Sequence, residues 1–425
     1  DDGDPDRGLT RAMASRIVIA GAGLAGLRAA QAARAAGHEG EIALVGDEPH
    51  APYTRPPLSK QLLAGEQTAA DCTFPGLDTL QAELRLGAPV VGIDPAVHAV
   101  TLDGGEALDY ARLIVATGCR ARPLPTAAVA RASRPDGTAL SPGVPSVRDP
   151  GVHTLRDLDD AHRLAAALSS TTHLAIVGAG FLGCEVAATA RARGLEVTLI
   201  DIAAQPLPPL GPVLGARIAQ LHREHGVALR LGVGVAGTTS EHGRLTGVAL
   251  TDGTTVEADH LLVAVGALPN TEFLADSAIE LALDGGIVCD ATLTSVSDPD
   301  VLAAGDVAAW PHPGAGGERV RVEHWTTAAE HGRLAGANAV REPGERIAHV
   351  APPYFWSDQY DLKLQSVGFP ARAARIEIVD TEASRGRLAA EALDDNGRLV
   401  GAVTFNHARR LADYRRRLAA DTVAA

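Results

Sequence analysis

Two six-residue segments, Gly21-Ala22-Gly23-Leu24-Ala25-Gly26 and Gly178-Ala179-Gly180-Phe181-Leu182-Gly183, share the spacing GxGxxG. At that spacing the first glycine permits a tight turn and the second lets backbone N–H groups close on a pyrophosphate. The third lets the following helix pack on the strand. Each segment is followed by a carboxylate after the next apolar run, Asp47 for the first and Asp201 for the second. Such a carboxylate accepts two hydrogen bonds from neighbouring ribose hydroxyls and repels a 2′-phosphate. Asp201 is followed by Ile202, Ala203, Ala204 and Gln205, with no arginine to clamp a phosphate. The chemistry implied is the binding of two dinucleotides, with NADH preferred to NADPH at the second site.

Other residues narrow the reaction. Ala116-Thr117-Gly118 reads as a small-residue strand end that lets backbone pass close to a cofactor, and Asp306, at the end of Leu302-Ala303-Ala304-Gly305-Asp306, offers a carboxylate to the polyhydroxyl chain of a flavin. With the first glycine turn they point to FAD there, and so to NADH feeding a flavin. Only two lysines occur, Lys60 and Lys363, in a chain that otherwise writes arginine. A retained lysine suggests a site that needs a compact ammonium, the alternative being a loop lysine on the surface. The four cysteines, Cys72, Cys119, Cys184 and Cys289, form no close pair, which argues against a zinc knuckle or dithiol centre and suits a reducing cytoplasm.

These residues need elements to hold them. Arg16–Ala20, a helix over Leu27–Ala36 and Glu41–Val45 read as a strand, helix and strand around the first turn. His173–Val177, Cys184–Arg193 and Glu196–Ile200 repeat that order, with Gly178 lying 157 residues after Gly21. The fold class expected is α/β, with two Rossmann-like dinucleotide-binding domains and a C-terminal α+β domain. The division expected is a discontinuous FAD-binding domain over 13–122 and 267–347, an NAD-binding domain over 123–266, and the C-terminal domain over 348–425. The last of these reads as short strands from Leu362 onward and a closing arginine-rich helix, Ala408–Ala420. Residues 1–12 read as an upstream extension, and the stretch Ala121–Gly151, with six prolines, as an exposed connection.

With 425 residues, 46 % of them hydrophobic, the chain can bury two or three cores. Its net charge of -14 disfavours general nucleic-acid binding, and no apolar run is long enough to span a membrane.

The block Pro52-Tyr53-Thr54-Arg55-Pro56-Pro57-Leu58-Ser59-Lys60 adds a more specific signal. Together with Ala116-Thr117-Gly118, Gly178 to Glu185, Gly266-Ala267-Leu268-Pro269-Asn270, Gly305-Asp306 and Glu323-His324-Trp325, it resembles the NADH-dependent ferredoxin reductases of oxygenase systems. The resemblance covers nearly all of the chain from about Ser15. It implies FAD held by Gly21, Gly23, Leu24, Ala25 and Gly26 at the pyrophosphate and by Asp47 at the ribose. It further implies Arg55 and Lys60 near the ring, Val90 at the adenine, and Ala116, Thr117, Gly118, Arg156, Asp306 and Trp325 around the flavin. NADH falls to Gly178, Gly180, Phe181, Leu182, Gly183, Glu185, Asp201 and Gly266. Lys60 and Glu185 are implied as a catalytic pair beside flavin N5.

The resulting reading is a reductase that takes a hydride from NADH and passes single electrons to a [2Fe–2S] ferredoxin serving a P450 or Rieske-type oxygenase. A second reading is a flavoprotein like apoptosis-inducing factor, whose association responds to NADH. Phe181 reads either as a ring covering the flavin or as core packing, Trp325 as a flavin neighbour or a helix staple, and His324 as structural. Arg319 and Arg321 are the first candidates for docking an acidic partner, and Arg409, Arg410, Arg415, Arg416 and Arg417 the second.

Overall fold

In a computed structural model of the chain, residues 16–124, 149–382 and 386–423 are described. The extension over 1–12 and most of the Ala121–Gly151 connection lie outside them.

Ile17–Ala20 is buried on both faces and pairs in parallel with Ile42–Val45 and Arg112–Val115. A continuous apolar run with helices on its faces is what a central parallel strand requires. Val301–Ala303 and Glu83–Arg85 complete this five-stranded sheet at its two edges. The second sheet repeats the plan around His173–Val177, which lies between Glu196–Asp201 and His260–Val263, with Ala228–Leu231 and Val152–His153 at the edges. Both copies insert a three-stranded antiparallel meander, Val90–Asp94 to Ala107–Asp109 in the first and Val235–Glu241 to Thr255–Glu257 in the second. The edge strands differ in origin. Val301–Ala303 arrives from far downstream, whereas Val152–His153 precedes the rest of its sheet.

A short antiparallel pair, Cys119–Ala121 with Ala267–Pro269, joins the two parallel units. Beyond them stands a five-stranded antiparallel sheet in the order Tyr354–Gln359, Leu362–Gly368, Leu399–Phe405, Arg387–Leu393 and Arg375–Glu382. The helix Ala408–Val423 covers it through Leu411, Tyr414 and Leu418. Its first strand, Tyr354–Gln359, is an addition to the strands expected from sequence.

Both glycine-turn helices begin three residues earlier than expected, at Leu24 and Phe181. The glycine ahead of each serves as N-cap, so the last three residues of each turn already belong to the first helical turn. The helix Trp325–Ala339 crosses Leu24–Ala35 at backbone contact: a side chain at Gly332 would meet the Ala25 carbonyl at 2.2 Å, and one at Gly336 the Ala29 carbonyl at 2.1 Å. That crossing holds the start of the later helix, Trp325, beside the first glycine turn. Among the described residues no helix is long and apolar enough to cross a membrane.

Candidate functional site

The two turns have the same backbone geometry. Gly21 takes φ +116° and Gly178 φ +106°, where other residues are strained. Gly26 and Gly183 lie under the turns, where a side chain would sit 1.9 Å from the carbonyls of Gly21 and Gly178 respectively. At Gly23 and Gly180 the corresponding position is open, and neither residue offers a side-chain cap to its helix. The first N–H groups of both helices are therefore available to an anion, with the positive end of the helix dipole behind them.

A cavity of about 520 Å³ reaches both helix starts. From the first unit its wall includes Gly21, Gly23, Leu24, Ala25 and Asp47, and from the adjoining loops Arg55, Ala116, Thr117, Gly118 and Trp325. From the second unit it includes Arg156, Gly180, Phe181, Leu182, Glu185 and Gly266. Asp306 also borders it, receiving the Arg156 guanidinium at 3.1 Å and the Cys119 thiol at 3.0 Å. Two uncapped helix starts, cationic and carboxylate side chains and small-residue backbone along one wall fit two dinucleotides whose reactive rings meet.

Glu185 lies in the second turn of Phe181–Ala192 and is only 7 % exposed. Its Oε2 accepts from Lys60 Nζ at 2.7 Å and from Ser59 Oγ at 2.6 Å, and its Oε1 accepts from Ser357 Oγ at 2.8 Å. The loop carrying Lys60 is tied to the same helix, because Thr189 donates to the Ser59 carbonyl at 2.8 Å and Arg193 to the Leu63 carbonyl at 2.8 Å. Ser59 and Glu185 border the cavity, and Lys60 joins it through Glu185. Sequence reasoning missed Ser59 and Ser357. Ser59 stands inside the block that located Lys60, but nothing in the residue types of Tyr354–Gln359 marks its serine as a partner of residue 185.

The remaining expected residues fall elsewhere. Gly26, Gly178 and Gly183 shape the turns without reaching the cavity wall, and Val90 lies in the first meander, opposite Leu102. Asp201 turns both oxygens to backbone, accepting from Ala179 N at 2.6 Å and from Ala203 N at 2.7 Å, so it braces the second turn. Asp47 is exposed, and its Oδ1 accepts from Glu48 N at 3.1 Å. Arg55 bonds Glu48 and the carbonyl of Arg156, and so links the two parallel units.

Phe181 lines the cavity and also packs edge-on against Phe355, ring centres 4.5 Å apart. His324 leans on Phe355, and loss of hydration holds its imidazole down to about 4. Trp325 meets Trp356 edge-on at 6.0 Å, Trp356 stacks with Tyr354 at 6.1 Å, and the Arg415 guanidinium lies 5.0 Å over the Tyr354 ring. This line of rings leads from the cavity wall to the arginine-rich helix.

The expectation for Arg321 is corrected. Its side chain is 12 % exposed and bonds Asp284 at 2.7 Å, Glu323 at 2.6 Å and the Asp306 carbonyl at 3.0 Å. A cation neutralised by two carboxylates is a clamp on the Asp306 loop and leaves little charge for a partner. Arg319 is exposed and has no carboxylate partner among the described residues.

All four cysteines are unpaired and buried. Burial pushes every one of these thiols up, Cys289 to about 12, which disfavours the thiolate that disulfide exchange needs.

Residues 15–332 match the model of the pyridine nucleotide-disulphide oxidoreductases, and residues 354–425 that of the reductase C-terminal domain. Rhodocoxin reductase of Rhodococcus erythropolis is 38 % identical over 374 residues, covering 87 % of this chain and 80 % of that protein. The ferredoxin–NAD(+) reductase component of the p-cumate 2,3-dioxygenase system of Pseudomonas putida is 38 % identical over 405 residues, 95 % of this chain and 92 % of that protein. The reductase in the structure of the covalent putidaredoxin reductase–putidaredoxin complex superposes with a TM-score of 0.85 at 33 % identity, covering 96 % of this chain and 93 % of that one. The chain belongs to the pyridine nucleotide-disulphide oxidoreductase family and carries a reductase C-terminal domain.

Proposed function

We propose that the protein is a cytoplasmic NADH:ferredoxin oxidoreductase that holds FAD at the first glycine turn and NADH at the second. It would accept a hydride and deliver single electrons to a [2Fe–2S] ferredoxin serving a P450 or Rieske-type oxygenase. The observation that carries this reading is one cavity bordered by both uncapped helix starts, with the Lys60–Glu185 pair, 2.7 Å apart, beside it. The names of the relatives agree with it: one is a component of a dioxygenase system, and another is joined to putidaredoxin.

When bound, FAD supplies the conversion of a two-electron donor into two one-electron deliveries. The residues of the chain do the rest. In this reading the N–H groups after Gly23 and Gly180 bind the pyrophosphates, and Asp306, oriented by Arg156, accepts from the polyhydroxyl chain. Lys60 offers a positive donor to the ring edge, and Glu185 aims it. Such a preorganised donor favours negative charge gathering on the ring. Phe181 and Trp325 exclude water from the space between the turns. The line Trp325, Trp356, Tyr354 supplies an apolar surface for an acidic partner, with Arg415 at its end. The division proposed is 13–122 with 267–347 for FAD, 123–266 for NADH, and 348–425 for the C-terminal domain.

The test is a visible spectrum of the purified protein, followed by stopped-flow mixing with NADH and with candidate ferredoxins. A flavin spectrum bleached by NADH and restored by oxidised ferredoxin is the expected result. A colourless protein that takes up no FAD on reconstitution overturns the proposal.

A further inference from the structure

Glu185 reaches far beyond the cavity through groups that the reaction itself does not use. Behind Ser357, Gln359 Nε2 lies 3.2 Å from Ser357 Oγ, Gln359 Oε1 lies 3.2 Å from His222 Nε2, and His222 Nδ1 lies 3.0 Å from the Tyr360 hydroxyl. Ser357, Gln359 and His222 are fully buried. They come from two elements, the strand Tyr354–Gln359 of the C-terminal sheet and the helix Gly211–Glu224 of the second unit.

The direction of each bond follows from the carboxylate outward. A carboxylate has no hydrogen to give, so Ser357 must donate to Oε1. A hydroxyl has one hydrogen, so the Ser357 oxygen can only accept from Gln359, which must present its amide NH₂. The Gln359 carbonyl then faces His222, and a carbonyl only accepts. His222 therefore carries its hydrogen on Nε2, which leaves the lone pair of Nδ1 to accept from the Tyr360 hydroxyl. The reverse arrangement, with the amide flipped, would make Gln359 accept the Ser357 hydrogen and leave Glu185 Oε1 without that donor. Inside a protein a lost donor to a charged acceptor is costly, so the orientation at one end is transmitted to the other.

We infer that Ser357, held by Gln359 and His222, is a positioning residue through which the C-terminal sheet keeps the Glu185 carboxylate aimed at Lys60, and that this carboxylate sets the tautomer of His222. The kinetic part of the inference rests on the proposed function; the tautomer does not. Burial holds the His222 imidazole neutral by lowering it to about 4, consistent with a ring that both donates and accepts.

Two measurements test it. Long-range ¹H–¹⁵N correlation of the protein as purified, with the His222 signal identified by its loss in His222→Gln, should show hydrogen on Nε2 at pH 7. Hydrogen on Nδ1 overturns the inference, whatever cofactor the protein uses. In the flavin-loaded protein, Ser357→Ala should slow bleaching by NADH about tenfold, the worth of one buried bond to a charged acceptor. The same substitution in a Glu185→Gln background should change the rate less than about twofold, because no carboxylate remains to be aimed. An equal loss in both backgrounds makes Ser357 merely structural and overturns the inference. Gln359→Leu repeats the test should Ser357→Ala fail to fold. Failure to take up flavin would sink the proposed function and leave the tautomer measurement standing.

Discussion

At Gly21 a side chain would meet the Ala116 carbonyl at 2.2 Å, and at Gly178 it would meet the Ala264 carbonyl at the same 2.2 Å. Beneath each turn a third glycine approaches the first within 1.9 Å of any added carbon. The surroundings diverge from there. The first turn is overlaid by the helix Trp325–Ala339, crossing at backbone contact, while Arg156 reaches Asp306 from the second unit. Among the described residues the second turn's helix is met by side chains instead, Ser59 and Lys60 on Glu185 and Phe355 on Phe181, and Asp201 accepts from Ala179 and Ala203. The same pyrophosphate cradle can thus serve two kinetic purposes: a site closed by helices in backbone contact suits a resident group, and one closed by side chains that can change rotamer suits a molecule that must arrive and leave with each turnover.

The strongest test of that difference places one methyl group in each turn. Gly26→Ala and Gly183→Ala each force a carbon to 1.9 Å from a backbone carbonyl, at a cost on the order of 3 kcal/mol. Gly26→Ala should purify without flavin and with a depressed melting temperature. Gly183→Ala should stay yellow and lose bleaching by NADH, with KM raised about a hundredfold, a loss equivalent to nearly 3 kcal/mol of binding. Absorbance at purification and stopped-flow rates decide it. Loss of flavin from both variants would erase the distinction between a resident and an exchanging site.

The Lys60–Glu185 pair joins the two regions and comes next in size. Lys60→Met removes the charged donor and leaves Glu185 with hydrogen bonds from Ser59 and Ser357. The expected loss in bleaching rate is about a hundredfold, in line with removal of one preorganised donor. Lys60→Arg should recover little, because a guanidinium is broader than the ammonium held 2.7 Å from Glu185. Full activity in Lys60→Arg would remove the argument from the rarity of lysine in this chain.

Much of this contrast was legible before any coordinates. GxGxxG sits with its strand, helix and following carboxylate within about thirty residues, so these could be read directly, although the backbone that crowds Gly21 and Gly178 comes from distant Ala116 and Ala264. Relations between distant segments were less legible. The strand Tyr354–Gln359 has half-buried Tyr354, Phe355 and Trp356 in succession, without the alternation that marks a strand, and it follows a proline pair. Its Ser357 meets Glu185 only because the C-terminal sheet docks there. The sequence places Asp201 as a carboxylate for a ribose but does not show that it also accepts from the backbone N–H groups of Ala179 and Ala203. The sequence sets Glu323 beside Arg321 but does not show Asp284, 37 residues earlier, whose added carboxylate and burial turn that cation from a docking charge into a clamp.

Acid separates the molecule differently. His222 in the second unit, His153 at the edge of its sheet, and His324 beside the first turn are all lowered to about 4, mainly by burial. His331, packed edge-on against Trp310 at 4.3 Å, is also held well below the free value by burial. A folded value below the free value of 6.5 means that the unfolded chain binds protons the native state refuses. Stability is therefore complete above pH 6.5 and falls as pH drops toward 4, by on the order of 3 kcal/mol each for His222 and His324 and in the same direction for His153 and His331. Melting temperatures between pH 7.5 and 4.5 should trace this decline, and His331→Phe should flatten it while keeping an aromatic ring on Trp310. A profile that stays level to pH 4.5 would show that these imidazoles remain hydrated.

The smallest effect concerns the exit side, where Arg319 and Arg321 lie two residues apart with opposite surroundings. Arg321→Glu should act on stability, because it sets a third carboxylate among Asp284, Glu323 and the Asp306 carbonyl. Asp284 and Glu323 are themselves 49 % and 36 % exposed, so solvent screens the repulsion and the cost is on the order of 1 kcal/mol. Arg319→Glu removes an exposed cation whose hydrogen bond is to the Cys289 carbonyl, at 3.4 Å, so the fold should tolerate it. For a rim charge the expected change is a few-fold rise in KM for ferredoxin and a shallower dependence on ionic strength. Steady-state reduction of ferredoxin across a salt series measures both. If Arg319→Glu leaves the salt dependence intact while Arg415→Glu flattens it, the acceptor approaches along the ring line ending at Tyr354, and the docking surface belongs to the C-terminal helix.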